Sequence, residues 1–205
     1  MYSQRTSLII GFHGCDESVR DALVNSKNAF KKSENTYDWL GHGMYFWDND
    51  PDRALEFAQY KKENPKSGAQ PISKPSVVGA IIGLGICLDL VSAKSLQLLK
   101  IGYENLCGEF ANSGLVIPQN KPLRGGEDLV FRNLDCAVIE TLHKYSEKNN
   151  LPSFDSVRGV FWEGNDLYEN AGFKEKNHIQ ICIRNPNCIK GFFIPRETDK
   201  SFSTP

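Results

Sequence analysis

The sequence predicts an α+β fold. Short β-branched and aromatic runs recur at residues 8–14, 41–47, 76–90, 157–164, 178–184 and 189–194. Between them, residues 16–24, 51–62, 93–110 and 127–145 place apolar side chains at helical spacing. The 205 residues suffice for one well-filled core, so a single domain over 1–205 is favoured over two smaller ones.

The elements follow in order. Leu8-Ile9-Ile10-Gly11-Phe12 reads as a buried strand that ends in His13-Gly14, which sets an imidazole beside a bare backbone amide. Residues 16–24 form a short helix with Asp16 and Glu17 at its start and Val19, Ala22 and Leu23 inward. The polar stretch 27–35 is a surface loop. Its Lys27, Lys31 and Lys32 are either solvated or turned toward a diphosphate. Gly41-His42-Gly43-Met44-Tyr45-Phe46-Trp47 is a glycine-bracketed aromatic strand, and its glycines admit another backbone or a flat ligand. Alternation sets Tyr45 on the face opposite Met44 and Phe46, so one ring can line a cleft while its neighbours fill the core. The plainer reading makes the whole run core.

Pro51 at a first helical position, with Asp48 or Asp50 as cap, starts a helix to about residue 62 with Ala54, Leu55, Phe57 and Ala58 inward. Residues 63–75 are a loop, and 76–90 one buried strand that Gly79, Gly83 and Gly85 bend or bulge. Asp89 or Ser92 caps the next helix, whose inward stripe is Leu96, Leu99, Tyr103 and Leu106. A loop with Pro118, Pro122 and Arg124-Gly125-Gly126 leads to a scaffold helix over 127–145. Its face is Phe131, Leu134, Val138, Leu142 and Tyr145, with His143 at the surface of its last turns. The strand 157–164 precedes a loop, 165–177, that exposes Tyr168 and Phe173. Two strands joined by the turn Asn185-Pro186-Asn187 close the fold, and 197–205 is a frayed tail.

Lys plus Arg (24) nearly balance Asp plus Glu (25), so no global charge draws nucleic acid or an anionic membrane, and such a partner needs a local patch. The longest apolar run is interrupted by glycines and too short to span a bilayer. The first residues lack the layout of a signal peptide, and a cytoplasmic protein is expected. The six cysteines stand singly in apolar surroundings, which predicts reduced and mostly buried thiols and no metal site. Cys15, beside His13, is a packing or pocket-edge residue rather than half of a Cys-His nucleophile.

His13-Gly14 closing one strand, Gly43-Met44-Tyr45-Phe46 opening another, and Ala54-Leu55-Glu56-Phe57-Ala58 on the following helix together resemble the ADP-ribosyltransferases. The likeness is to the diphtheria-toxin and poly(ADP-ribose) polymerase branch. It covers about the first sixty residues well and the last third loosely. The resemblance implies a split, strongly curved pair of mixed sheets with helices outside and an NAD+ cleft between the His13 and Tyr45 strands. It implies that His13 bonds a ribose, that the Gly14 backbone holds the nicotinamide amide, and that Tyr45 stacks on the nicotinamide. Gly43 would let the ligand approach, and Phe57 would complete an aromatic sandwich. No metal takes part.

That family carries a third residue, usually glutamate, on a late strand, where it stabilises positive charge developing on the ribose or orients the nucleophile. Here the strand holds His178, Gln180, Cys182 and Arg184 on one face and no glutamate. Gln180 is the best positional match, Glu163 the best carboxylate, and His178 the third candidate. The resemblance extends to stand-alone bacterial toxins of toxin-antitoxin and phage-defence systems. It implies ADP-ribosyl transfer from NAD+ to RNA, DNA or protein, target contacts through 165–177, and a possible antitoxin protein as partner. NAD+ hydrolysis and a non-catalytic module that binds NAD+ or ADP-ribose stand as alternatives.

Overall fold

The computed structural model describes residues 8–25, 30–65, 70–123 and 126–203. In chain order it holds β1 (Leu8–Asp16), α1 (Glu17–Asn25), β2 (Met44–Asp48), α2 (Pro51–Glu63), β3 (Pro75–Gly83), β4 (Cys87–Asp89) and α3 (Ala93–Ser113). There follow β5 (Asn120–Lys121), β6 (Phe131–Arg132), α4 (Asn133–Lys148), β7 (Ser156–Phe161), β8 (His178–Ile183) and β9 (Ile189–Phe193). The α+β class holds: a seven-stranded sheet runs β4-β7-β8-β2-β1-β3-β9, and β5 and β6 form a separate ribbon. Within the large sheet the β4/β7 pair is parallel and the other pairs are antiparallel.

The sheet bends sharply around β1. One core unites Met44 and Phe46 of β2, Ile181 and Ile183 of β8, and Ala80 and Ile82 of β3. In a flat sheet β8 and β3 would stand about 14 Å apart, three strand spacings. Gly11 permits the bend, because a Cβ there would lie 2.8 Å from Ile82 Cδ1 and 2.9 Å from Phe46 Cβ. On this inner face α1 seats Leu23 against Cys15 and Val78. On the outer face α2 packs Ala54 and Phe57 on Phe12 and Trp47, and α4 packs Ile139 and Leu142 on Val157, Phe161 and Cys182. Helix α3 lies outside α4, and a Cβ on Gly102 would come within 2.6 Å of Leu142 Cγ.

Local chemistry explains the element ends. Asp50 caps α2 by accepting from Arg53 N at 2.9 Å, with Pro51 at the first position. Ser92 caps α3, which ends on Gly114 at φ +64°. Asp16 is the last strand residue rather than helical. Its carboxylate accepts from the backbone N–H groups of Ser18, Ser73 and Lys74, which hold its pKa well below the usual range.

Several expectations are corrected. The run 76–90 is two strands, because Gly85 (φ +59°) turns the chain where Asp155 accepts from Ile86 N. The start of β1 is open, with Leu8 and Ile10 exposed and burial beginning at Gly11. Of the expected stripe of α3, Leu106 is buried and Leu99 packs on the core, while Leu96 and Tyr103 are exposed and Ser95 and Gly102 face inward in their place. Ala22 is exposed as well. Helix α4 starts at Asn133, since Phe131 pairs with Lys121, and Asn120 Oδ1 accepts from Leu134 N and Asp135 N. Tyr145 is exposed and His143 is buried. Strands β8 and β9 form no hairpin: β9 crosses to the far edge, beside β3. Cys15, Cys136, Cys182 and Cys188 are buried, and all six thiols are free. No helix is long and apolar enough to cross a membrane among the described residues.

Candidate functional site

Strands β1 and β2 part beside His13. Their register ends with Gly11 opposite Asp48 and Phe12 opposite Trp47. Ile10 O accepts from Asn49 N at 3.0 Å, so Ile10, Phe12 and Gly14 aim their backbone polar groups at β2. The next rung would join Gly14 to Tyr45, and it is not made. His13 Nδ1 instead lies 2.8 Å from Tyr45 O. The carbonyl that Gly14 N–H would have reached is thus occupied by an imidazole. The Gly14 N–H and C=O point toward β2 at that place, and Gly14 itself is buried.

The same bond fixes the chemistry of His13. A carbonyl only accepts, so Nδ1 carries the hydrogen and Nε2 presents a lone pair. Burial pushes the His13 pKa down to about 4, which keeps the ring neutral at physiological pH. Phe30 meets it edge-on at 4.6 Å and stacks on Phe46 and Phe192. Phe30, expected in a polar surface loop, therefore lids the inner core. His13, Phe30 and Lys31 line a cavity of about 410 Å³ with α1. Lys27 lies outside the described residues, as do Arg124 and Gly125. Burial drives the Cys15 thiol up to about 11, against a nucleophilic role.

Tyr45 does not share a face with His13. His13 sits on the inner face with Phe46, whereas Tyr45 packs on the outer core with Trp39 and Leu40. The alternation expected for β2 holds, with Met44 and Phe46 buried and Tyr45 half-buried. The Tyr45 hydroxyl donates to Gly41 O at 2.6 Å and accepts from Leu40 N at 2.8 Å, which fixes the ring in the outer core with Leu40 and Cys182 rather than in a cleft shared with His13. Two cofactor assignments are corrected. Gly43 serves the packing of β2 on β8, since the side a Cβ would occupy is filled by Cys182 Sγ and Ile183 O. Phe57 backs Trp47 at 5.0 Å rather than Tyr45. Gly14 is pressed against α2 on one side, where a Cβ would overlap the Ala54 carbonyl.

The third-residue candidates converge on the outer face, where Gln180 stands opposite Trp47 in register. His178 Nδ1 lies 2.8 Å from Lys176 O, so it donates, and His178 Nε2 accepts from Gln180 Nε2 at 3.0 Å. This orients the half-buried Gln180 amide and leaves its oxygen without a partner among the described residues. The His178 side chain is 0% exposed and packed among Trp39, Trp47 and Phe161, and burial lowers its pKa. His178 is therefore a positioning residue. Glu163 is tied to Arg53 at 3.0 Å and lies 3.6 Å from His178 Nδ1. Its carboxylate is engaged rather than open.

Reading the sequence missed Arg53 and Trp47. Both bring a buried donor, Arg53 Nε and Trp47 Nε1, that has no partner among the described residues. A cation in the first turn of α2 opposes the helix dipole, and that was the legible signal for Arg53. Residues 165–177 do expose Tyr168 and Phe173, at 60% each, and the preceding Trp162 is exposed with them. Among the described residues no group of three or more His, Cys, Asp or Glu could hold a metal ion. No family model matches the chain, and no curated protein and no solved structure matches it.

Proposed function

We propose that this chain is an NAD+-dependent ADP-ribosyltransferase of the diphtheria-toxin and poly(ADP-ribose) polymerase type, acting on a macromolecule. The observation that carries this reading is the unmade rung at Gly14. A primary carboxamide needs one donor and one acceptor side by side, as a ladder partner does, and Gly14 offers both. The nicotinamide carboxamide takes that place. His13 Nε2 accepts from a ribose hydroxyl, and Tyr45, on the other face of the sheet, would reach the nicotinamide only through the parting of β1 and β2. When the bond between nicotinamide and ribose C1′ breaks, its electron pair leaves with the nicotinamide nitrogen and positive charge grows on the ribose. The Gln180 oxygen is assigned to that charge or to the incoming nucleophile, which requires the ribose to pass from the His13 face of the sheet to the outer face where Gln180 stands. The nucleophile then bonds to C1′ and gives up its proton.

The exposed Tyr168 and Phe173 suit stacking on a base or packing on a protein, and a cognate antitoxin fits the toxin-type likeness. Incubation with NAD+ labelled in its adenylate half tests the proposal. Label transferred to RNA, DNA or protein supports transfer. Free labelled ADP-ribose alone means hydrolysis. Intact NAD+ with measurable binding means a non-catalytic module.

A further inference from the structure

Helix α3 meets the molecule through one face, with Ser95, Gly102 and Leu106 buried against α4. Around from that face runs a second apolar seam: Leu96 (49% exposed), Tyr103 (43% exposed), and the half-buried Cys107 and Phe110. With the exposed Lys100 these occupy positions 96, 100, 103, 107 and 110. The steps alternate four and three, which is the seam of a two-stranded coiled coil. A surface helix ordinarily turns such a seam inward, and here it faces solvent.

The charges say what covers it. Lys100, in the seam, and Glu104, beside it, are both exposed, whereas Lys94 and Glu109 lie on the other side of α3, where Glu109 pairs with Lys148 of α4 at 3.8 Å. Against a helix running the opposite way with the same sequence, Lys100 of each copy meets Glu104 of the other.

We propose that α3 pairs antiparallel with α3 of a second copy of this chain. The seam then forms self-complementary layers: Leu96 against Cys107 of the second copy, Lys100 against Tyr103, and the reverse. Lys100 reaches the ring of Tyr103 and the carboxylate of Glu104 across the two-fold axis. A lone lysine in an otherwise apolar seam fixes register and orientation, because any shift would bury it unpaired. The seam lies wholly on α3, so the pairing stands whether or not the chain transfers ADP-ribose.

Sedimentation velocity over about 1 to about 200 µM reads the association directly. We expect a concentration-dependent dimer, with Tyr103→Glu weakening it at least tenfold and leaving the thermal melt of the monomer unchanged. Glu104→Lys alone should weaken it, and the swapped pair Lys100→Glu with Glu104→Lys should restore it. Under mild oxidant, Leu96→Cys should yield a cross-linked dimer through the native Cys107, and Cys107→Ser in that background should abolish it. A monomer throughout the range overturns the proposal, as does a dimer indifferent to these substitutions. A Cys107 to Cys107 cross-link in the unmodified protein would mean parallel pairing and overturn it too.

Discussion

His13 Nδ1 lies 2.8 Å from the backbone oxygen of Tyr45 and replaces, with a side chain, the rung that Gly14 would have formed. A ring held as donor on one side and acceptor on the other works by hydrogen bonding, without changing protonation. His13→Ala should raise the apparent KM for NAD+ and lower kcat. Between pH 6 and 8 the activity of the unmodified protein should not follow a histidine titration, because burial holds the His13 pKa at about 4. Loss of activity with EDTA and its return with zinc would contradict this account.

The Tyr45 hydroxyl ties the loop at Leu40 and Gly41 while the ring packs in the outer core. Tyr45→Phe should therefore keep most turnover yet cost about 1–3 kcal/mol of stability, because Leu40 N–H loses a buried partner. For a chain of this length that is roughly 2–4 °C of melting temperature per kcal/mol. Tyr45→Ala should abolish turnover in a folded protein. Near-normal rates in a folded Tyr45→Ala variant would remove Tyr45 from the site.

His143 is buried with both ring nitrogens unpartnered among the described residues and its ring edge-on to Phe154. Burial first, then the Arg184 cation, lowers its pKa to about 4, against an ordinary 6.5. The folded protein therefore binds fewer protons than the unfolded chain over this interval, so stability rises with pH. The contribution is complete above pH 6.5 and is lost as the pH falls toward 4, where His13 acts in the same direction. Melting curves should show this loss, and His143→Leu should flatten it. A variant whose melting temperature parallels the parent at every pH would show that His143 does not contribute.

The elements legible in the sequence were those whose apolar pattern and caps agree. Asp50-Pro51 starts α2 where expected, and the alternation at Met44, Tyr45 and Phe46 holds. Helix α3 misled because it is apolar on two sides, and sequence does not say which side meets α4. Gly102 decides it, since only a residue without a Cβ lets Leu142 approach. The run 76–90 looked like one strand because its break depends on Asp155, far along the chain. The site was half legible. His13-Gly14 and Tyr45 sit on neighbouring strands, as their motifs suggested. That they face opposite sides of the sheet, and that His13 takes the Gly14 rung, follows from register and cannot be seen in spacing.

Under the proposed reaction, the polar group that meets the ribose is the remaining choice, and the His178 contact to Gln180 favours the amide. His178 donates to Lys176 O and so must accept from Gln180, which aims the Gln180 oxygen outward. Gln180→Ala should lower kcat on the order of 10²-fold or more, the scale for removing one preorganised partner of a transition-state charge. His178→Phe keeps the aromatic packing but frees the amide. It should lower kcat by a smaller factor and leave the KM for NAD+ nearly unchanged, as expected when orientation alone is lost. Glu163→Gln breaks the pair with Arg53 at 3.0 Å, so its first effect should be on the thermal melt. A larger fall in kcat for Glu163→Gln than for Gln180→Ala, in folded proteins assayed on one target, would transfer the role to the carboxylate. If neither change slows the reaction tenfold, the outer-face cluster has no part in the chemistry, and an NAD+-binding module becomes the better description.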